Sequence, residues 1–313
     1  MSGACTRQPM RTSRSALAAL LFAAACSAGA AAPPLKVCVA ENNPPLSHHA
    51  GAEMRGLDLH IAQAIAVELG RPLAVVSFES KYEAESTLAH EVNALLSSGV
   101  CELASGFPLL ESDLGAPSRP TARVPDHPGA KRRPQRAWVP LGTLVASRAY
   151  HAVALALLVR DPARSAATLA DPGDARIGVT AGTLAGTAVS LYRNGRLRAQ
   201  LVSVAQNQDA LEQLEAGAFD ATLASLDRYD AWRLAHPAST LRRAAYVHPL
   251  RINIGFVARA ESTQVMDAVN RVIARALADG DLARWSAATG TSWIAPVDPQ
   301  IGRPIGLADL ADN

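Results

Sequence analysis

Aromatic residues make up only 4% of this 313-residue chain, so no pocket densely lined with rings is expected. Neither sign of charge dominates: 30 Lys and Arg stand against 28 Asp and Glu, a net charge of +2. That balance gives no electrostatic case for nucleic acid as the main partner. Past the N-terminus no apolar run reaches the roughly 20 residues that a membrane-spanning helix needs. Catalytic signatures are missing as well. There is no Gly-x-Ser-x-Gly elbow to strain a nucleophile and no glycine-rich phosphate loop. His90-Glu91 opens like a zinc-protease helix, but Ala94 stands where the second histidine belongs. His48 and His49 fall in a polar turn and read as surface histidines rather than a metal site. No enzyme, metal or cofactor is expected.

Cysteine is scarce, at four, and the N-terminus decides how many matter. Arg7, Arg11 and Arg14 precede the apolar run of residues 16–25, and Ala28-Gly29-Ala30 follows as a small-x-small cleavage site. Residues 1–30 therefore read as an export signal. A rival reading takes residues 23–26, AAAC, as a degenerate lipoprotein box that acylates Cys26. Either way Cys5 is lost, and Cys38 and Cys101 remain in an oxidising compartment, where an even pair is normally bridged. Two unpaired buried thiols are the alternative.

Hydrophobic residues make up 49% of the chain, enough for a large buried core. Residues 37–40 alternate as a strand and break at Asn42-Asn43-Pro44-Pro45. Leu57, Ile61, Ile65 and Leu69 recur at helical spacing before Gly70 and Pro72 stop the run. Strand 73–78, helix 87–97 and strand 100–106 follow. This alternation predicts a parallel α/β sheet with the first strand central, beside the third. Residues 111–140 lose all periodicity, are rich in Pro, Arg and Gly, and read as a mobile surface loop. Their cluster Lys131-Arg132-Arg133 is either solvated or faces an acidic partner. A second α/β unit then runs through strands 153–160, 176–180, 200–204, 219–223 and 252–258, with helices from Gly182-Thr183 and over 209–216. A strongly amphipathic helix spans Val265 to Leu277, and a short one with Leu282 and Trp285 follows. The tail from Pro296 carries no pattern.

The punctuation of this layout resembles the bacterial extracellular solute-binding proteins of family 3, the periplasmic amino-acid-binding type. The landmarks run in order: Asn43-Pro44-Pro45, Gly56-Leu57-Asp58-Leu59, Gly99-Val100-Cys101-Glu102, Ser105-Gly106-Phe107-Pro108, Ser147-Arg148-Ala149-Tyr150, Gly182-Thr183, Asp220-Ala221 and Asp279-Gly280. The resemblance implies a type II two-lobed periplasmic binding protein, each lobe a mostly parallel sheet flanked by helices. Lobe one would comprise residues 35–149 plus 254–295, lobe two residues 150–253, and 296–313 the tail. It further implies ligand contacts from Asn42, Asn43 and Pro45 at the rim, Ser105 and Gly106 through hydroxyl and backbone, Phe107 as an apolar wall, and Asn207 at the mouth of lobe two. Gly182 and Thr183, at a helix start, suit an anion or form a plain cap.

Two departures bear on the ligand. The family's carboxylate-clamping arginine is replaced by Asp113, with no arginine before Arg119. Its ammonium-holding acid falls on Ser225, and Asp227 is expected to point elsewhere along a strand. The implied ligand is thus a small, anionic molecule other than an ordinary α-amino acid, bound by a monomer for an ABC permease. One branch, encoded beside pyrroloquinoline-quinone (PQQ) alcohol dehydrogenases, is similar in its Cys38, Asn42-Asn43, Gly99-Val100-Cys101-Glu102 and Arg148-Ala149-Tyr150. It implies instead an accessory protein that binds a periplasmic quinoprotein dehydrogenase or helps its maturation.

Overall fold

In β1, Leu35–Ala40, the side chains Leu35, Val37 and Val39 turn to one face while Cys38 turns to the other, and all four are buried. Such a strand needs cover on both sides, and the sequence around it supplies helices for each. A computed structural model describes residues 32–80, 86–132, 135–161, 166–171 and 173–311. The expected export signal with Cys5 and Cys26, and Arg133 of the basic cluster, lie outside the described residues.

After β1 come a small antiparallel meander, β2 (Asn42–Asn43), β3 (Ser47–Ala50) and β4 (Glu53–Arg55), and then helix α1 (Leu57–Glu68). Strand β5 (Leu73–Phe78), helix α2 (Leu88–Ser97) and strand β6 (Leu103–Pro108) complete the first unit. As expected, β1 lies between β5 and β6 and is parallel to both. Leu57, Ile61 and Ile65 of α1 pack with Leu35, Val37 and Val39 on one face. On the other face α2 covers Cys38, Phe78 and Phe107. Thr87 caps α2, its hydroxyl accepting the His90 N–H.

Cys38 and Cys101 form a disulfide, with Cα atoms 5.7 Å apart. Cys101 is not inside the strand as expected. The chain turns through Gly99 at φ 75° after α2, and β6 begins only at Leu103.

The segment expected to be structureless carries a 3-10 turn at Glu111–Asp113 and two short paired strands, β7 (Thr121–Ala122) and β8 (Val139–Pro140). Its base is fixed to α2: the Asn93 amide donates to the Gly142 carbonyl at 2.7 Å, and His90 Nε2 lies 2.8 Å from the Ser118 hydroxyl. Arg136 pairs with Asp126, and the Arg123 guanidinium lies over the Trp138 ring. Periodicity missed this because hydrogen bonds and ion pairs, rather than an apolar stripe, organise the segment.

Strand β9 (Leu144–Ala146) leads to β10 (His151–Val159), β11 (Ile177–Thr180), α3 (Leu184–Leu191) and β12 (Leu201–Val204). Then follow α4 (Ala210–Glu215), β13 (Ala221–Ser225), α5 (Leu226–Ala235) and β14 (Arg242–Arg259). Strand β11 is parallel to β12 and β13, so the second unit repeats the first. The two units join through β10 and β14, which are antiparallel to each other and to their outer neighbours. The path of the sheet is β12-β11-β13-β10-β14-β6-β1-β5, with β9 added beside β14.

Two elements differ from the sequence expectation. Strand β14 is 18 residues long rather than confined to 252–258. Pro249 and a register shift against β10 between Ala154 and Ala156 break its alternation while the chain stays extended. Helix α5 replaces an expected continuation of strand. Its signals are present in the sequence: Ser225 as N-cap, Asp227 in the first turn, Arg233 in the last, and His236-Pro237 as the stop.

The chain closes with α6 (Thr263–Ala278), whose Val265, Val269, Val272 and Ile273 pack with α1, and α7 (Asp281–Thr289). The tail is not patternless. The Asn253 amide donates to the carbonyls of Val297 and Gln300, the Gly302 N–H donates to the Leu109 carbonyl, and α8 (Leu307–Leu310) places Leu310 in the apolar cluster of the second unit. Residues 296–311 thus run from one unit to the other.

Candidate functional site

The carboxyl ends of β1 and β6 open onto a cavity of about 440 Å³. Open α/β sheets bind ligands at this edge, because the strand ends leave a crevice between the connecting loops. Glu41, Asn42 and Asn43 after β1, Glu79 and Ser80 after β5, and Ser105, Gly106 and Phe107 of β6 line it. From the second unit comes Asp227, in the first turn of α5.

The floor is a buried polar network. Asp58 is fully buried in the first turn of α1. It accepts the Ser105 hydroxyl at 2.7 Å and the Tyr150 hydroxyl at 2.5 Å. The Gly106 N–H donates to the Tyr150 oxygen at 3.2 Å. Burial pushes the Asp58 carboxyl up to about 6, against the opposing pull of its two hydroxyl donors. Burial and the Asp58 charge drive the Tyr150 hydroxyl well above its usual range. Gly106 holds φ 67°, and a Cβ there would come 3.2 Å from Asp58 Oδ2. The backbone therefore favours glycine, and a Cβ would press on the floor.

Ser105 and Gly106 line the cavity, and the Ser105 hydroxyl donates to Asp58 while the Gly106 N–H donates to Tyr150. Asn42 and Asn43 do line the cavity, and so does Phe107, which is also 1% exposed and packs into the α2 side of the core. Pro45 is buried beneath the rim rather than on it, where its carbonyl accepts the Leu57 N–H and crowds Gly56.

Asp227 is the residue that sequence reasoning placed wrongly. Ser225 ends β13 and caps α5, its hydroxyl accepting the Arg228 N–H at 3.3 Å. The helix start turns Asp227 back toward the first unit, leaving it 9% exposed. His151 Nε2, on a ring only 1% exposed, lies 3.2 Å from Asp227 Oδ1. The Ile294 N–H points at His151 Nδ1, at 3.4 Å. One helical turn on, Asp230 accepts both the N–H and the hydroxyl of Ser292. The N-terminal half of α5 is thereby tied to the segment behind both crossing strands. The Ser225 cap was the signal that could have placed Asp227.

A second cavity of about 460 Å³ lies in the other unit and shares Val153 with the first. Its wall is mainly apolar, with Leu155, Leu184, Leu211, Leu223, Leu250 and Ile252, and its polar members include Thr183, Gln206, Gln208 and Arg228. Thr183 is a cap: its hydroxyl accepts the Gly186 N–H and donates to the Thr180 carbonyl. Gly182, at φ 78°, makes the turn before it. Asn207 is absent from the lining, which takes its neighbours Gln206 and Gln208 instead. Arg228 is paired with Asp209 at 2.7 Å.

Among the described residues, Glu41, Glu79 and Asp227 line the first cavity, with His151 beside Asp227, and Arg228, paired with Asp209, lines the second. Among the described residues no group of three or more His, Cys, Asp or Glu is placed to hold a metal ion, and no helix is long and apolar enough to cross a membrane.

No protein-family model and no curated protein sequence matches the chain. Solved structures do. The second substrate-binding domain assigned to an amino acid ABC transporter of Streptococcus pneumoniae superposes with a TM-score of 0.59 at 13% identity, over 81% of this chain and 98% of that one. An ancestral cationic amino acid solute-binding protein gives 0.56 at 14% identity, over 82% of this chain and 96% of that one. The fold is that of the two-lobed periplasmic binding proteins. The two cavities share Val153 of β10, and β10 and β14 join the two units.

Proposed function

We propose that this is an exported, non-enzymatic solute-binding protein that closes its two lobes on a small molecule and presents it to an ABC-type permease. Lobe one would be residues 35–149 with 254–295, and lobe two residues 150–253. The observation that carries the reading is the cavity at the ends of β1 and β6, into which lobe two sends Asp227 beside the crossing strand. A group contributed across the hinge favours a closed state only when something fills the space between.

The ligand is not an ordinary α-amino acid. No arginine is among the described residues lining the lobe-one cavity, so a carboxylate there would face carboxylates without a bidentate clamp. Titration of the exported protein with amino acids, organic acids and amines, read by intrinsic tryptophan fluorescence and thermal shift, tests the reading. Saturable binding with a rise in melting temperature is expected. Silence across every class, at concentrations up to millimolar, would refute it.

A second reading, an accessory protein of a PQQ-dependent alcohol dehydrogenase, rests on the sequence landmarks alone. Cys38 and Cys101, two landmarks of that resemblance, are bridged. Co-purification of the dehydrogenase with the exported protein, together with ligand silence, would select it.

A further inference from the structure

Besides β10 and β14, the tail connects the two units, and the link between its anchors is short. It is first held on β14. The buried Asn253 amide donates to the Val297 and Gln300 carbonyls at 2.7 and 3.0 Å, and its oxygen accepts the Val297 N–H at 3.0 Å. The Gln300 side chain accepts the Ala149 N–H at 3.0 Å, just before β10. At Gly302 the tail reaches the first unit. Its N–H donates to the Leu109 carbonyl at 2.8 Å, and its carbonyl accepts the Glu111 N–H at 2.9 Å. Ile305 then packs against the apolar cluster of the second unit, and the buried Leu310 lies within that cluster. His248 Nε2 lies 3.3 Å from the Leu310 carbonyl. Only Arg303 and Pro304 stand between the anchor at Gly302 and the anchor that starts at Ile305.

We infer that residues 302–305 form a tether that limits how far the two lobes open. This rests on the solute-binding reading, in which the lobes move. From Gly302 to Ile305 the chain spans roughly 10 Å even when fully extended, and Pro304 restricts it further. Two crossing strands make a hinge, which leaves the angle between lobes adjustable. A short link anchored on both lobes sets a bound on that angle. Opening past the bound would break the paired hydrogen bonds at Gly302 or draw Leu310 out of its cluster into water. Approach of the lobes only slackens the link, so closure is not opposed. A bounded open state has less freedom to lose when a ligand closes the lobes.

The test reads the distance between lobes in the ligand-free exported protein. Spin labels on Val67→Cys of α1 and Glu212→Cys of α4, both exposed positions, report it by pulsed electron paramagnetic resonance. Two changes to the tail are compared with the native one. The first inserts six Gly and Ser residues between Arg303 and Pro304, adding an r.m.s. reach of about 13 Å while both anchors stay. The second ends the chain after Gly302 and removes the second anchor. Both are expected to add a population at distances longer by about 5 Å or more, within the reach gained. The insertion is expected to keep the thermal midpoint of the native protein. An insertion that keeps the midpoint and leaves the distances unchanged would overturn the inference, because a tail that only packs is indifferent to its length. If the insertion lowers the midpoint, the shortened chain decides by the same criterion. No ligand enters these measurements, so their failure leaves the solute-binding reading standing; that reading falls only with silence in the titration above.

Discussion

Asp58 shows how a residue with no contact to solvent sets the properties of the site. Its carboxyl, raised to about 6 by burial, holds its proton in the folded protein over a range where the unfolded chain has already lost it. The native state therefore binds more protons between about pH 4 and pH 6, and stability falls as pH rises through that window. A rise of about two units corresponds to about 3 kcal/mol. Asp58→Asn is expected to flatten this part of the profile, measured as the difference in urea midpoints between the two proteins from pH 4 to 6.5. Equal slopes would contradict it. Tyr150→Phe removes the hydroxyl that takes the Gly106 N–H and serves Asp58, and is expected to cost about 1–3 kcal/mol by the same measurement. Much of this network was unreadable beforehand. Asp58, Ser105 and Tyr150 all stood in recognisable landmarks, yet only the packed structure shows that they hydrogen-bond to one another.

At the scale of elements, the apolar periodicities of β1, α1 and α6 were legible because each buries a continuous face. Elements organised by polar contacts were not. Helix α5 exposes much of its surface and is defined by its cap and its stop. Strand β14 is interrupted by Pro249 yet held by pairing on both sides. The disulfide was legible from cysteine count and compartment, and its energetic role follows from the 63-residue separation it closes. The Cys38→Ala, Cys101→Ala double variant is expected to lose about 4 kcal/mol by the chain-entropy estimate, checked by denaturant unfolding of oxidised wild type against the variant. The tail makes a comparable prediction. Ending the chain after Ala295 strips Leu310 from the lobe-two cluster and frees the Asn253 amide. The loss is about 2–3 kcal/mol for the leucine alone, read as a lower thermal midpoint of the truncated protein.

For the whole molecule, the order of strands and the place of the cleft could be argued from sequence, since alternating elements and right-handed crossovers leave few topologies. The chemistry of the cleft could not. It depends on which side chains two separate units bring to one space, and Asp227 reaches lobe one only because its helix starts where a strand was expected. The tail adds a contact running between units at the crossing strands, so closure must occur with that strap in place. Small-angle X-ray scattering of the protein, with and without a ligand identified by the titration, tests the central claim most directly. The account predicts a smaller radius of gyration in the saturated protein than in the free one. Saturable binding with an unchanged scattering profile would contradict it.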